Sequence, residues 1–317
     1  DNSTTYQVMS EDSFENVGEY EITVEVRRNG VLVETGTTIL EILPKQVTII
    51  PNTLEKDYRE ANPTYTYTTD LTGVTVNSNG LYGDDLFVGE LTRDAGESVG
   101  EYAYSIDNLH ADNYELVLDD TILFKINTKD IEDSDIITSG VETEYTYTGN
   151  EIKPIPSIVY PTSNGQIKLV QTVDYNIISY QKKNIDTEEY EIVTSPIEVG
   201  DYRIVVEGLG NYAGTRNFDY KIGALKAFNA TITNTIKEYN RENQNASVAV
   251  TSVTGKLTEN VYYKLVYYKD SNYSQKTTAN DASGARSEGG APSNVGNYYL
   301  RVEGIGNYLG SSAEAEF

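Results

Sequence analysis

The chain has 317 residues, with 24 Lys and Arg against 49 Asp and Glu and a formal net charge of −25. That length exceeds a single domain of about 100–150 residues, and the charge speaks against nucleic acid and anionic membrane surfaces, both held through Lys and Arg. Zero Cys excludes disulfides, thiol nucleophiles and Cys-ligated zinc, and a single His excludes multi-His metal sites.

In chain order, the start Asp1-Asn2-Ser3-Thr4-Thr5 lacks the pattern of a signal peptide, and no apolar run is long enough to span a bilayer. The chain therefore reads as a mature protein or a piece of a larger one. Val17-Gly18-Glu19-Tyr20 opens an alternation of Tyr20, Ile22, Val24 and Val26. Period two with apolar residues on one face predicts a half-buried strand. Arg28-Asn29-Gly30 predicts a tight hairpin turn, and Leu40 and Ile42 mark a closing strand. Residues 1–45 hold only the last half of a module. They are expected to dock on the next domain or to be poorly ordered, since so short a piece buries too little on its own.

The same signature returns three times. Gly100 and Tyr102, Gly200 and Tyr202, and Gly296 and Tyr298 each sit in Val-Gly-x-Tyr, followed by alternating apolar residues and a closing strand. Closing strands predict domains at 46–128, 129–223 and 224–317. Asn113-Tyr114 is expanded further on to Gly208-Leu209-Gly210-Asn211-Tyr212-Ala213-Gly214 and Gly304-Ile305-Gly306-Asn307-Tyr308-Leu309-Gly310. These loops precede strands, so they do not make the nucleotide-binding glycine fingerprint, which needs a following helix. In immunoglobulin-like sandwiches a Tyr opening the penultimate strand hydrogen-bonds back to upstream backbone, and Val-Gly-x-Tyr suits that corner. No segment carries helical periodicity. The predicted fold is all-β: tandem immunoglobulin-like β-sandwich domains in an extended rod, with β-grasp-like modules as the alternative.

Candidate chemistry is sparse. His110 lies in a predicted hairpin loop with no nucleophile beside it, so no catalytic residue is assigned. Asp130, Glu132, Asp133 and Asp135 form the densest acidic cluster, at a module junction. Calcium, which takes several oxygen ligands, is the one ion considered there, against a solvated acidic turn. No other cofactor is expected. Tyr263, Tyr267 and Tyr268, with Tyr262, fall on one predicted strand. They are the candidate ligand-binding platform, because aromatic rings stack on sugars or anchor protein partners.

Asn62-Pro63-Thr64-Tyr65-Thr66-Tyr67, Gly83 through Arg93, and Ala95 through Tyr102 carry a resemblance to the MBG-type domains of bacterial adhesins. Tyr147-Thr148-Gly149-Asn150-Glu151-Ile152-Lys153-Pro154, Asp174-Tyr175-Asn176-Ile177, Val199 through Tyr202 and Gly208 through Gly214 resemble the tandem immunoglobulin-like repeats of Gram-positive surface proteins. Residues 224–317 share the Val-Gly and Gly-Asn-Tyr elements but lack the opening Tyr-Thr-Gly. The resemblance implies an extracellular, monomeric stalk or adhesion segment of a cell-wall-anchored protein, anchored through regions outside this chain and without catalysis. Its implied partners are glycans or host mucin glycoproteins. The alternative is a glycan-binding module or accessory region of an extracellular glycan-degrading enzyme.

Overall fold

A computed structural model describes residues 4–9, 14–73, 75–280 and 286–317. The Asp1-Asn2-Ser3 start lies outside the described residues. Among them there is no α-helix, only a 3-10 turn at Gly306–Tyr308, and every other regular element is a strand. A β-grasp module needs a helix packed on its sheet, so the all-β sandwich class stands and the β-grasp alternative does not. The chain divides into two compact units, Asp1–Lys129 and Asp130–Phe317.

The first unit opens with a three-stranded antiparallel sheet in the order Thr4–Met9, Gly18–Arg28, Val31–Ile42. Asn29 (φ 48°) and Gly30 (φ 79°) make its turn, with both residues in the left-handed region that an Asn-Gly hairpin favours. Among the described residues no second sheet covers this one, and Val31, Val33 and Ile39 are 68%, 57% and 64% exposed. From Ile42 the chain runs directly into Lys45–Pro51.

Lys45–Pro51 is the centre of a small sheet, antiparallel to Tyr67–Thr69 and parallel to Tyr114–Leu118. Opposite it lies the sheet Glu55–Asp57, Leu123–Asn127, Gly100–Ser105, Thr92–Arg93, in that order. The two sheets bury Val47 and Ile49 against Tyr104, Phe124 and Ile126, with Leu81 and Leu91 delivered by the intervening segment. Tyr65 meets Tyr104 and Phe124 edge to face, at 5.7 and 5.3 Å. Arg93 closes one flank. It donates to the Tyr65 hydroxyl at 2.9 Å and lies over the Tyr102 and Phe124 rings.

The second unit repeats the two-sheet plan twice. Its larger sheet runs Glu144–Thr146, Thr215–Gly223, Gly200–Gly208, Tyr175–Lys183, Tyr190–Val193, and a smaller one runs Ile137–Ser139, Ser157–Thr162, Gly165–Lys168. Alternate residues Tyr202, Ile204 and Val206 point inward and are buried with Ile158, Tyr220 and Ile222. The last part pairs Asn229–Thr233, Ser247–Ser252 and Gly255–Lys256 in one sheet and Tyr263–Tyr268, Tyr299–Gly304 and Ser312–Glu316 in the other. Ile232 and Val248 of the first pack with Tyr267, Leu300 and Phe317 of the second.

Candidate functional site: the repeat junctions

Three of the four Val-Gly-x-Tyr copies share one local geometry. The hydroxyl of Tyr20 donates to the Asn16 carbonyl at 2.8 Å, Tyr102 to Ser98 at 2.6 Å, and Tyr202 to Glu198 at 2.5 Å. Each bond reaches four residues back and clamps the turn that enters the strand. Burial, and then the nearby Glu198, push the Tyr202 hydroxyl up to about 12. The Tyr298 ring lies over Gly296, and among the described residues its hydroxyl has no such bond.

Two of these turns, those at Val17 and Val199, also present the N–H of the Val to an asparagine far along the chain. Val17 N–H donates to Asn113 Oδ1 at 2.8 Å, and Asn113 Nδ2 donates back to Asn16 Oδ1 at 3.1 Å. In the second unit Val199 N–H donates to Asn307 Oδ1 at 3.0 Å, and Asn307 Nδ2 donates to the Glu198 carboxylate. One planar amide therefore uses its acceptor and its donor on two neighbouring residues. The residue before Val supplies the acceptor in both places, Asn16 in one and Glu198 in the other.

The tyrosine after each Asn holds its loop to its own sheets. Tyr114 Oη donates to Asp85 at 2.7 Å and accepts from Tyr82 N–H at 3.0 Å. The Tyr308 hydroxyl, on a fully buried ring, lies 2.6 Å from both Ser252 Oγ and Thr254 Oγ1. Across the second junction the Tyr147 and Tyr308 rings meet edge to face at 5.7 Å. Burial raises the Tyr147 hydroxyl, which the Asn307 amide also meets. Glycine opens these loops because the loop doubles back on it. A Cβ on Gly304 would stand 2.0 Å from the Tyr308 carbonyl oxygen, and one on Gly208 2.7 Å from the Ala213 nitrogen.

The remaining candidates are placed as follows. Tyr263, Tyr267 and Tyr268 are only 5%, 2% and 4% exposed, so they do not form an open stacking platform. Tyr267 faces the core beside Phe317, and its hydroxyl accepts from Ala246 N–H at 2.9 Å. Tyr268 lies on the other face, where Tyr273 covers it at 5.3 Å and Glu303 accepts its hydroxyl at 3.0 Å. The residues after Tyr268 fold back over a face that alternation alone leaves open. Asp130 Oδ1 accepts from Glu132 N–H at 2.9 Å and Asp133 Oδ1 from Asp135 N–H at 3.2 Å. Among the described residues no three acidic or His side chains stand together around one point. His110 is exposed and bridges Val88 through its backbone. The junction asparagines were legible only as repeated Asn-Tyr pairs, whose partners lie 96 and 108 residues away.

Between the two sheets packed around Val47 and Phe124, the chain follows a known pattern. Residues 47–124 match the family model of the MBG domain (YGX type). This MBG-type segment holds Asn113 and is a quarter of the chain or less. No curated protein matches the sequence. Among solved structures, the protocadherin GammaB4 extracellular domain aligns over 99% of this chain at 10% identity with a TM-score of 0.21. The chain spans 60% of that structure's length. The protocadherin gammaB7 EC3-6 cis-dimer structure aligns over 100% of this chain and 92% of its own, at 11% identity and a TM-score of 0.21. Superpositions this loose carry no argument; the all-β architecture rests on the strands themselves.

Proposed function

We propose that this chain is a non-catalytic stalk segment of an extracellular, cell-surface protein, in which β modules are coupled in series. The observation that carries the reading is the recurrence of the asparagine clasp, Val17 with Asn113 and Val199 with Asn307. A hydrogen-bonded amide at the join of successive modules stiffens that join, which is what a spacer requires. The MBG match supports placement on a surface protein, monomeric and anchored through regions outside this chain. The non-catalytic reading is supported by an inventory of buried tyrosines, one exposed His and repeated backbone motifs. Small-angle scattering of the purified chain tests it. The expected maximum dimension exceeds about 100 Å, the span of roughly three sandwiches with strands of ordinary length. A compact particle with a radius of gyration of about 20 Å, the globule value for this length, would overturn it. So would hydrolysis of any glycan by the pure chain.

A second reading, contact with a glycan or mucin glycoprotein, is favoured by one surface. A groove in the MBG-type segment is lined by Tyr65, Tyr67, Ser78, Asn79, Leu86 and Phe87, with the Tyr67 and Phe87 rings edge to face at 5.3 Å. Half-buried aromatic edges beside amide and hydroxyl groups suit a sugar ring. Binding to immobilised mucin glycans should be weak and lost in Phe87→Ala; equal binding by both proteins removes this groove.

A further inference from the structure

The tripeptide Asn294-Val295-Gly296 is identical to Asn16-Val17-Gly18, whose first two residues hold the amide of Asn113. At the later copy the same groups stand open. Val295 is 83% exposed where Val17 is 39%, and among the described residues its N–H has no partner. The surrounding groove is mixed, with Lys237 and Glu238 beside its aromatic and aliphatic side chains. Tyr239 is 61% exposed and lines a groove with Gln244, Pro292, Val295 and Phe317. At the filled junction Tyr147 takes up the corresponding place beside the amide of Asn307.

We propose that Asn294 and Val295 form a docking site for the Asn-Tyr hairpin loop of a further β module of this kind, joined in series. The chemistry selects the occupant. Val295 offers one donor and Asn294 one acceptor on adjacent residues. A side-chain amide is the neutral group that presents a carbonyl oxygen and an N–H side by side in one plane. A carboxylate lacks the donor and an ammonium lacks the acceptor. A loop in which tyrosine follows the asparagine also supplies a ring to meet the exposed Tyr239 ring, as Tyr308 does against Tyr147. This inference rests on the stalk reading, and it fails separately from it: overall length is read by scattering, docking by exchange at one amide.

The test joins a copy of residues 224–317 after Phe317 of the full chain and follows amide hydrogen exchange at Val295. Exchange should slow by about tenfold or more, the effect expected of one hydrogen bond gained in a covered site. It should return to the original rate when the asparagine matching Asn307 in the added copy is changed to Ala. Unchanged exchange at Val295 with the added copy folded, as reported by its own protected strand amides, would overturn the proposal. So would equal protection by unlinked chains at the same concentration, which would assign the site to self-association. A second variant needs no added module. Glu198→Asn converts the junction held by Asn307 to Asn-Val-Gly, and Val199 should stay protected there through Asn307. Loss of that protection would show that Asn-Val-Gly does not suffice to hold the loop, and would also overturn the proposal.

Discussion

Asn307 is 5% exposed and takes the Val199 N–H at 3.0 Å, while its own N–H goes to Glu198. The tyrosine beside it is fully buried and tied to Ser252 and Thr254, so the loop cannot swing away to let water replace the bond. Asn307→Ala should therefore cost about 1–2 kcal/mol, the price of leaving a part-buried N–H and a carboxylate without a partner. Thermal unfolding of the full chain should show a lowered transition for the second unit and none for the first. A wild-type melting profile would show that the clasp adds no stability.

The matching change in the first unit needs a different residue. Asn113 has a φ of 71°, where Ala would be strained, so Asn113→Gly removes the amide while keeping the backbone free to adopt that angle. Its bonds are more exposed than those of Asn307, and the loss should be smaller, about 0.5–1 kcal/mol. Hydrogen exchange at Val17 reads it directly: an unchanged rate would mean that solvent already satisfies that amide.

Tyr202→Phe should destabilise the second unit by about 1–2 kcal/mol, because the Glu198 carbonyl loses its donor in a covered turn. Tyr102→Phe should cost the first unit less, about 0.5–1 kcal/mol, because its bond to the Ser98 carbonyl is exposed. The raised Tyr202 hydroxyl adds an alkaline signature. Its folded value of about 12 exceeds the ordinary value of 10, so the neutral form is favoured by folding. That stability is complete below pH 10 and is lost as pH rises toward 12. Tyr202→Phe should flatten the loss over this window.

Tyr267→Ala should unfold the last two-sheet part of the chain without acting as a binding mutation. The ring is 2% exposed and packs with Leu300 and Phe317, and removing a buried aromatic costs about 3–5 kcal/mol. Circular dichroism separates the outcomes. A folded variant with a wild-type melting temperature would mean that the ring does not fill the core.

The acid side is set by Glu97. Its hydrogen bond to the buried Lys56 ammonium, opposed by some desolvation and aided by Arg93, holds the carboxyl below the usual carboxylate range. A depressed folded value means stability present above the ordinary carboxylate pKa and lost as pH falls through the folded one. The first unit should thus melt at progressively lower temperature as the solution is acidified below about pH 4.3. Glu97→Gln should lower its stability at neutral pH and make the remaining acid dependence shallower. An identical slope in both proteins would place the acid sensitivity elsewhere.

Local order was legible because it is written in neighbouring residues. Alternation after each Val-Gly-x-Tyr marks Gly18–Arg28, Gly200–Gly208 and Tyr299–Gly304 as strands, and Asn29-Gly30 marks a turn, through steric rules that act over a few residues. The alternation shows that a strand has an inner face. It does not show whether its outer face is covered. Tyr268 reads as a surface ring for that reason, and only the return of Tyr273 and its neighbours over the sheet buries it. Pairing between distant segments lies further from the sequence. Lys45–Pro51 runs parallel to Tyr114–Leu118, and Asn307 finds Val199, because the packed sheets bring those backbones together. Periodicity and turn chemistry mark the strands that follow Val-Gly-x-Tyr and the Asn29-Gly30 turn, because those rules act between neighbours. The tertiary structure alone decided which strands pair and which asparagines become joints, since a hydrogen bond between residues 108 positions apart depends on how whole sheets pack.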